Sequence, residues 1–220
     1  MAHGTWIVFE GGEGCGKSTQ SRLLAQALQT AGYEVVHTRE PGGTPSAEKL
    51  RELLVRGDAD SWHPTTETLL FYAARMEHMA RCITPALAAG KVVICDRFAD
   101  STRVYQGIGK EQGTAFIDTL HRLTVGTLTP DITYLLDIPV ETGLTRAGAR
   151  RNQDTRFEEM GHSFHQRIRE GFLALAAQYG TRYHVLDAQQ SATDIHNAII
   201  AHLHTHLALE CTPAALKAAQ

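Results

Sequence analysis

The chain has 220 residues, 43% hydrophobic and 20% charged, which is enough for one fully cored domain and too apolar for disorder. A formal net charge of -3 excludes a protein that coats nucleic acid, since that needs a basic face. No run approaches the ~18 apolar residues of a membrane span, Glu10 follows the apolar Thr5–Phe9 stretch too soon for a signal peptide, and four cysteines at 15, 82, 95 and 211 without a CxxC pair predict a reducing, cytoplasmic setting without disulfides or structural zinc.

Thr5–Glu10 is the first predicted strand, apolar almost throughout. A helix follows, with Leu23, Leu24, Ala27, Leu28 and Ala31 as its apolar face and Gly32 as its stop. Glu34–Thr38 is the second strand. Thr44-Pro45 reads as an N-cap with proline in the first helical turn, and Leu50, Leu53 and Leu54 as the buried face behind it. A long helix is predicted from about Thr66 to Ala89, kinked near Pro85. Lys91–Asp96, Ile132–Asp137 and Tyr183–Asp187 are the remaining strands. Phe164, Ile168, Phe172, Leu175 and Tyr179 mark a helix between the last two, and Ser191-x-x-Asp194 is a capping box opening the final one. Strands apolar on both faces, alternating with helices, predict an α/β fold with a five-stranded parallel sheet flanked by helices. The expected organisation is a single domain over residues 1–209 with a loose tail at 210–220. Residues 146–158, polar, basic and short of apolar anchors, form a short lid.

Between the first strand and first helix, Gly11-Gly12-Glu13-Gly14-Cys15-Gly16-Lys17-Ser18 fits G-x-x-x-x-G-K-[ST] in the position a P-loop requires. Its glycines let consecutive N–H groups point into one concavity, and the helix N-terminus adds positive potential for phosphate. Lys17 is placed to neutralise the β and γ phosphates of a nucleotide, and Ser18 to offer its hydroxyl to Mg2+. This predicts a P-loop NTPase three-layer fold. A GTPase would carry DxxG and NKxD, which are missing, and a motor ATPase would end its Mg2+-binding strand in Asp-Glu. Here the strand ends in Asp96-Arg97. Asp96 suits the metal, while Arg97 suits a second phosphate and cannot act as a base. The pair favours transfer to a phosphorylated acceptor over hydrolysis.

Five blocks in this order resemble the bacterial thymidylate kinase family and cover nearly the whole chain. They are Phe9 to Thr19, Thr38-Arg39-Glu40-Pro41-Gly42-Gly43-Thr44, Leu69-Leu70-Phe71-Tyr72-Ala73-Ala74-Arg75, Asp96 to Thr102 with Tyr105-Gln106-Gly107, and Arg146 to Glu158. The resemblance implies Mg2+-dependent phosphoryl transfer from ATP to dTMP in a cytoplasmic homodimer, with no nucleic-acid or membrane partner. It implies that Gly11 through Thr19, including Gly12, Glu13, Gly14, Cys15, Gly16, Lys17 and Ser18, hold ATP. Arg97 and Arg39 would hold the acceptor phosphate, with Ser101 close by. Phe71 would stack on thymine, Arg75 would reach its O4, Thr102 its N3 edge, and Gln106 would line the same pocket. Tyr105 would fill the space of a ribose 2′-hydroxyl, Glu13 would sit near the 3′-hydroxyl and acceptor phosphate, and Glu40 would hold water around the metal bound by Ser18 and Asp96. Some relatives carry a loop arginine where this chain has Gly14. This chain resembles the other type, in which the lid supplies the catalytic arginine, and Arg150 falls at that position. Arg146, Arg151 and Arg156 are the lid's other arginines, and Thr155 between Asp154 and Arg156 departs from the family's adjacent Asp-Arg. Two other readings are a deoxynucleoside kinase of related fold and a nucleotide-binding switch without turnover. Twelve histidines include His202, His204 and His206 on the last predicted helix, where a solvated face is favoured over a metal site.

Overall fold

The computed structural model of the chain describes residues 4–58, 60–149, 156–158 and 160–214. Strands β1 (Trp6–Glu10), β2 (Val35–Arg39), β3 (Val92–Asp96), β4 (Ile132–Asp137) and β5 (Tyr183–Asp187) form a parallel sheet in the order β2-β3-β1-β4-β5. Every residue of β1 is buried, as suits a central strand covered on both faces. The edge strands β2 and β5 expose part of their length.

The helices are α1 (Lys17–Thr30), α2 (Pro45–Val55), α3 (Pro64–His78), α4 (Thr84–Ala88), α5 (Ala99–Thr102), α6 (Thr114–Thr124), α7 (Val140–Gly148), α8 (His162–Tyr179) and α9 (Ala192–His206). Two predicted caps are present. Thr44 Oγ1 accepts Ala47 N at 3.3 Å, and Ser191 Oγ accepts Asp194 N at 3.1 Å. The expected long helix starts earlier, at Pro64, and opens into a π segment at Met79–Ile83 before α4. Pro85 has no N–H to return to Arg81, so the chain widens ahead of it. A second π segment, Arg103–Gly109, continues α5. Of the expected α2 face, Leu54 is buried, Leu50 half-buried and Leu53 exposed, and Ala47 and Val55 are buried beside Leu54. Ala31 caps α1 and is also exposed.

Alternating strand residues face two layers. Ile7, Phe9, Ile94 and Tyr134 pack with Leu24 and Leu28 of α1 and with Ile195, Ile199 and Leu203 of α9. Trp6, Val8, Val93 and Cys95 pack with Met79, Ile83 and Leu87 on the other side, while Leu135 meets Phe164, Ile168 and Phe172 of α8. The tail is tied down at its start. Glu210 N donates to the Tyr33 hydroxyl at 3.0 Å, Ala214 N to His196 Nε2 at 3.0 Å, and Cys211 is buried. Residues 215–220 lie outside the described ones. His202 is stacked between rings, its centroid 3.9 Å from both His184 and His206.

Candidate active site

The carboxyl ends of β1, β2 and β3 meet around one cleft of about 340 Å³. β1 lies between β3 and β4, where connections diverge to either side, the usual ligand position in an open α/β sheet. Glu13, Gly14, Gly16, Lys17 and Ser18 of the phosphate loop line this cleft, together with Arg39, Glu40, Phe71, Arg75, Asp96, Arg97, Ser101, Thr102, Tyr105 and Gln106. Gly11 and Gly12 line a smaller recess behind the loop.

Lys17 Nζ donates to Gly11 O at 3.1 Å and Gly12 O at 2.7 Å, so its ammonium lies over the loop. Cys15 is buried beneath, in the core shared with α1. Gly14 has φ +67°, and a Cβ there would meet Gly143 O of α7 at 1.9 Å. Ser18 Oγ donates to Asp96 Oδ2 at 2.5 Å. A hydroxyl and a carboxylate side by side at the loop are hard oxygen ligands suited to Mg2+.

Arg97 holds φ 72°, uncommon for a residue with a Cβ. Its surroundings fix it there. Nη1 donates to Gly11 O and Ser101 Oγ, both at 3.1 Å, and Nη2 to Glu13 Oε1 at 2.8 Å and the Tyr105 hydroxyl at 3.2 Å. The Tyr105 hydroxyl donates to Glu13 Oε1 at 2.7 Å. Burial alone would raise the Glu13 carboxyl, but Arg97, Lys17 and that hydroxyl hold it at about 2. Glu10, which carried no assigned role, organises the opposite wall. It accepts Phe98 N at 2.8 Å, Ser101 N at 3.1 Å and Ser101 Oγ at 2.6 Å, and burial pushes it up to about 7.

Arg75 is 2% exposed. Its Nε donates to Glu40 Oε2 at 2.7 Å and its Nη2 to Thr102 Oγ1 at 3.0 Å and Phe98 O at 3.3 Å, whereas Nη1 is buried with no hydrogen-bond partner. Glu40, expected to hold water around the metal, bonds Arg75 through Oε2 and His78 Nδ1 through Oε1 at 3.1 Å. Its carboxylate positions Arg75. Arg39 pairs with Glu48 Oε2 at 3.0 Å and remains half-exposed at the mouth of the cleft. Thr19 is half-buried on α1, outside the cleft lining. Arg150 and Arg151 lie outside the described residues. Arg146 donates to Ala188 O at 2.7 Å, and Arg156 is buried away from the phosphate loop, donating to Leu54 O at 2.8 Å.

Phe157 also lines the cleft, its ring 6.3 Å from Phe71 and edge-on to Tyr105 at 5.6 Å. The sequence puts it in the lid stretch, where no motif gives it a role. An aromatic residue in an otherwise polar, basic stretch was the available signal. His78 and Glu67 carried none, because a lone His or Glu on an apolar helix does not reveal what it binds.

The thymidylate kinase family profile matches residues 9–199. A thymidylate kinase of Ruegeria pomeroyi is 50% identical over 91% of this chain and 97% of its own length. One of Caulobacter vibrioides is 51% identical over 90% and 95%. The crystal structure of thymidylate kinase from Ehrlichia chaffeensis superposes with a TM-score of 0.74 at 36% identity, covering 91% of this chain and 99% of that one. With the phosphate loop, the Asp96-Arg97 strand end and the buried Arg75 all on one cleft, this chain belongs to the thymidylate kinase family.

Proposed function

We propose that the chain transfers the γ-phosphoryl group of ATP to dTMP, giving ADP and dTDP in dTTP biosynthesis. The observation that carries this reading is Arg75 Nη1, a buried donor without a partner on the wall shared with Phe71 and Thr102. Such a donor needs an acceptor. Thymine O4 supplies one, whereas cytosine presents an amino group that would set donor against donor. Thr102 Oγ1, already accepting from Arg75, keeps a second lone pair for thymine N3–H. Phe71 offers a ring face to the base.

Mg2+ would be held by Ser18 and Asp96, where it would draw the phosphate charges together. Lys17 and the backbone N–H groups of Gly11–Thr19 hold ATP. Arg97 and Arg39 hold the acceptor phosphate, and Ser101 keeps Arg97 in place. Glu13 anchors Arg97 and faces the sugar and acceptor phosphate, while Tyr105 occupies the volume of a 2′-hydroxyl. Phosphoryl transfer asks the protein mainly for alignment and charge neutralisation, and this set provides both. Arg150 supplies the remaining cation to the transferring group, since Lys17 and the two acceptor arginines are committed.

A homodimer in the cytoplasm completes the proposal. Leu69 and Met76 on α3 and Phe116 and Leu123 on α6 are exposed apolar side chains on adjoining helices, a face suited to a second copy. All four cysteines are free, as a reducing compartment requires, and no helix among the described residues is long and apolar enough to cross a membrane.

A coupled assay with ATP and dTMP, dUMP, dCMP, UMP or thymidine tests the reading. dTMP should be the best substrate. dUMP should be poorer by roughly 10- to 200-fold, since one methyl group in a pocket contributes ~1–3 kcal/mol. Preference for thymidine would instead make the chain a deoxynucleoside kinase, and absence of turnover would make it a switch.

A further inference from the structure

Glu67, in the first turn of α3, has no exposed surface and draws three residues from two other segments. Gln106 Nε2 donates to Oε1 at 2.9 Å, Lys110 Nζ donates to Oε2 at 2.8 Å, and Arg156 Nη2 pairs with Oε2 at 2.5 Å. Arg156 is itself 1% exposed, with Nε on Asp58 O at 2.9 Å and Nη1 on Leu54 O at 2.8 Å. A planar guanidinium held along one edge by two carbonyls and along another by a carboxylate cannot turn. It therefore fixes the residue after it. The Phe157 ring sits 5.4 Å from the Arg156 guanidinium and 5.5 Å from Lys110 Nζ, and faces Phe71 and Tyr105. Phe71, Tyr105, Gln106 and Phe157 all line the cleft, whereas Glu67, Lys110 and Arg156 do not.

We propose that Glu67 is a positioning residue for the acceptor: its carboxylate gathers Arg156, Lys110 and Gln106 so that Phe157 and Gln106 stand opposite Phe71 as one preformed wall for the nucleotide base. The proposal rests on the reading of this cleft as the dTMP site. One buried carboxylate between two cations is a poor device for stability alone, because apolar residues of similar volume usually serve as well or better. Its worth lies in direction. Two of the three donors, the planar Arg156 guanidinium and the Gln106 amide, are directional, and these two adjoin or belong to the pocket wall. Loss of the network should weaken acceptor binding and leave ATP binding and the transfer step intact once dTMP saturates.

Arg156→Met is the main test, because it keeps the aliphatic stem and leaves Glu67 balanced by Lys110. We expect KM for dTMP to rise about tenfold or more, KM for ATP to stay within about twofold, and kcat at saturating dTMP to stay within about threefold. Glu67→Gln should give the same split. The double variant should be no worse than the worse single one, since both changes break one link. Arg156→Lys should recover part of the loss. Thermal melting accompanies each variant, and Arg75→Ala is run beside them. If Arg75→Ala raises KM for dTMP while folded Arg156→Met does not, the pocket reading stands and this proposal fails. An equal rise in both KM values, additive effects in the double variant, or failure of Arg156→Met to fold also overturns it in favour of a structural ion cluster. If Arg75→Ala has no effect on dTMP, the acceptor reading itself fails.

Discussion

Tyr105 does two things that substitution can separate. Its hydroxyl bridges Glu13 and Arg97, and its ring packs among Phe157, Phe164 and Phe172. Tyr105→Phe keeps the ring and should keep the preference for a deoxyribose acceptor, at a modest cost in rate as Arg97 loses a tether. Tyr105→Ala opens the space and should narrow the gap between dTMP and its ribo counterpart. Equal discrimination by Tyr105→Ala and the parent would show that another group excludes the 2′-hydroxyl. Arg150 belongs to the same scale. A cation acting mainly at the transition state contributes little ground-state binding. Arg150→Met should therefore lower kcat by roughly 10² to 10⁴, with KM for dTMP changing less than about tenfold. Single-turnover kinetics checks this, with Arg151→Met as the milder control. The loop, lysine, serine and Asp-Arg that line the cleft were legible because phosphate chemistry constrains such spacing tightly. Glu40, expected by resemblance near the metal, also bonds Arg75 and His78. Only the fold shows His78 and Arg75 converging on it.

Two elements set limits that the sequence pattern alone does not show. α7 passes so close to the phosphate loop that Gly143 O fills the space of a Cβ on Gly14. A side chain at position 14 would therefore require α7 to move. Gly14→Arg, and even Gly14→Ala, should abolish ATP binding or lower the melting temperature markedly. A folded, active Gly14→Arg would mean that α7 shifts freely. The second limit is at the junction of α3 and its π segment. His78 is buried with Nε2 2.6 Å from Thr38 Oγ1 and Nδ1 on Glu40, the same carboxylate that holds Arg75. Burial opposes its charge, but contacts with Cys82 and Glu40 prevail and raise it to about 9 from 6.5. A group whose folded pKa is raised contributes stability that is complete below the unfolded value and fades as pH rises through the folded one. The melting temperature should thus fall between pH 6.5 and 9, and His78→Gln should flatten that fall. A variant with an unchanged slope would assign the fall to other groups. Periodicity found α1 and α8, where Leu23, Leu24, Ala27 and Leu28 and Phe164, Ile168, Phe172 and Leu175 are buried as expected while Ala31 is exposed, and a capping box marked the start of α9. Periodicity missed α6, which buries Ile117 and His121 but exposes Phe116 and Leu123, so its apolar residues do not share one buried face.

At the scale of the whole molecule, five apolar runs separated by helices were enough to read a parallel sheet, because strands covered on both faces have few other sequence signatures. The strand order was not legible, since it depends on which helix crosses which face. The exposed apolar side chains of α3 and α6 suit the proposed second copy. Leu69 and Met76 stand one heptad apart, as do Phe116 and Leu123, so each helix presents one apolar edge. If two copies join through this face about a twofold axis, the patch meets itself, and each substitution acts twice per dimer. A stable interface of this kind buries on the order of 1,600 Å². Leu123 is the most exposed of the four, at 78%, and Leu69 is 49% exposed, so neither is needed for the monomer's core. Leu123→Glu combined with Leu69→Glu should leave the melting of the isolated chain little changed. It should also convert a dimer to a monomer at micromolar concentration in sedimentation velocity, by burying like charges face to face. The acceptor cleft includes Phe71 and Arg75 on the same α3, so loss of the partner should raise KM for dTMP more than KM for ATP. Should the parent and the doubly substituted chain both sediment as dimers, the copies meet elsewhere and this face does not brace α3; should both sediment as monomers, no dimer forms.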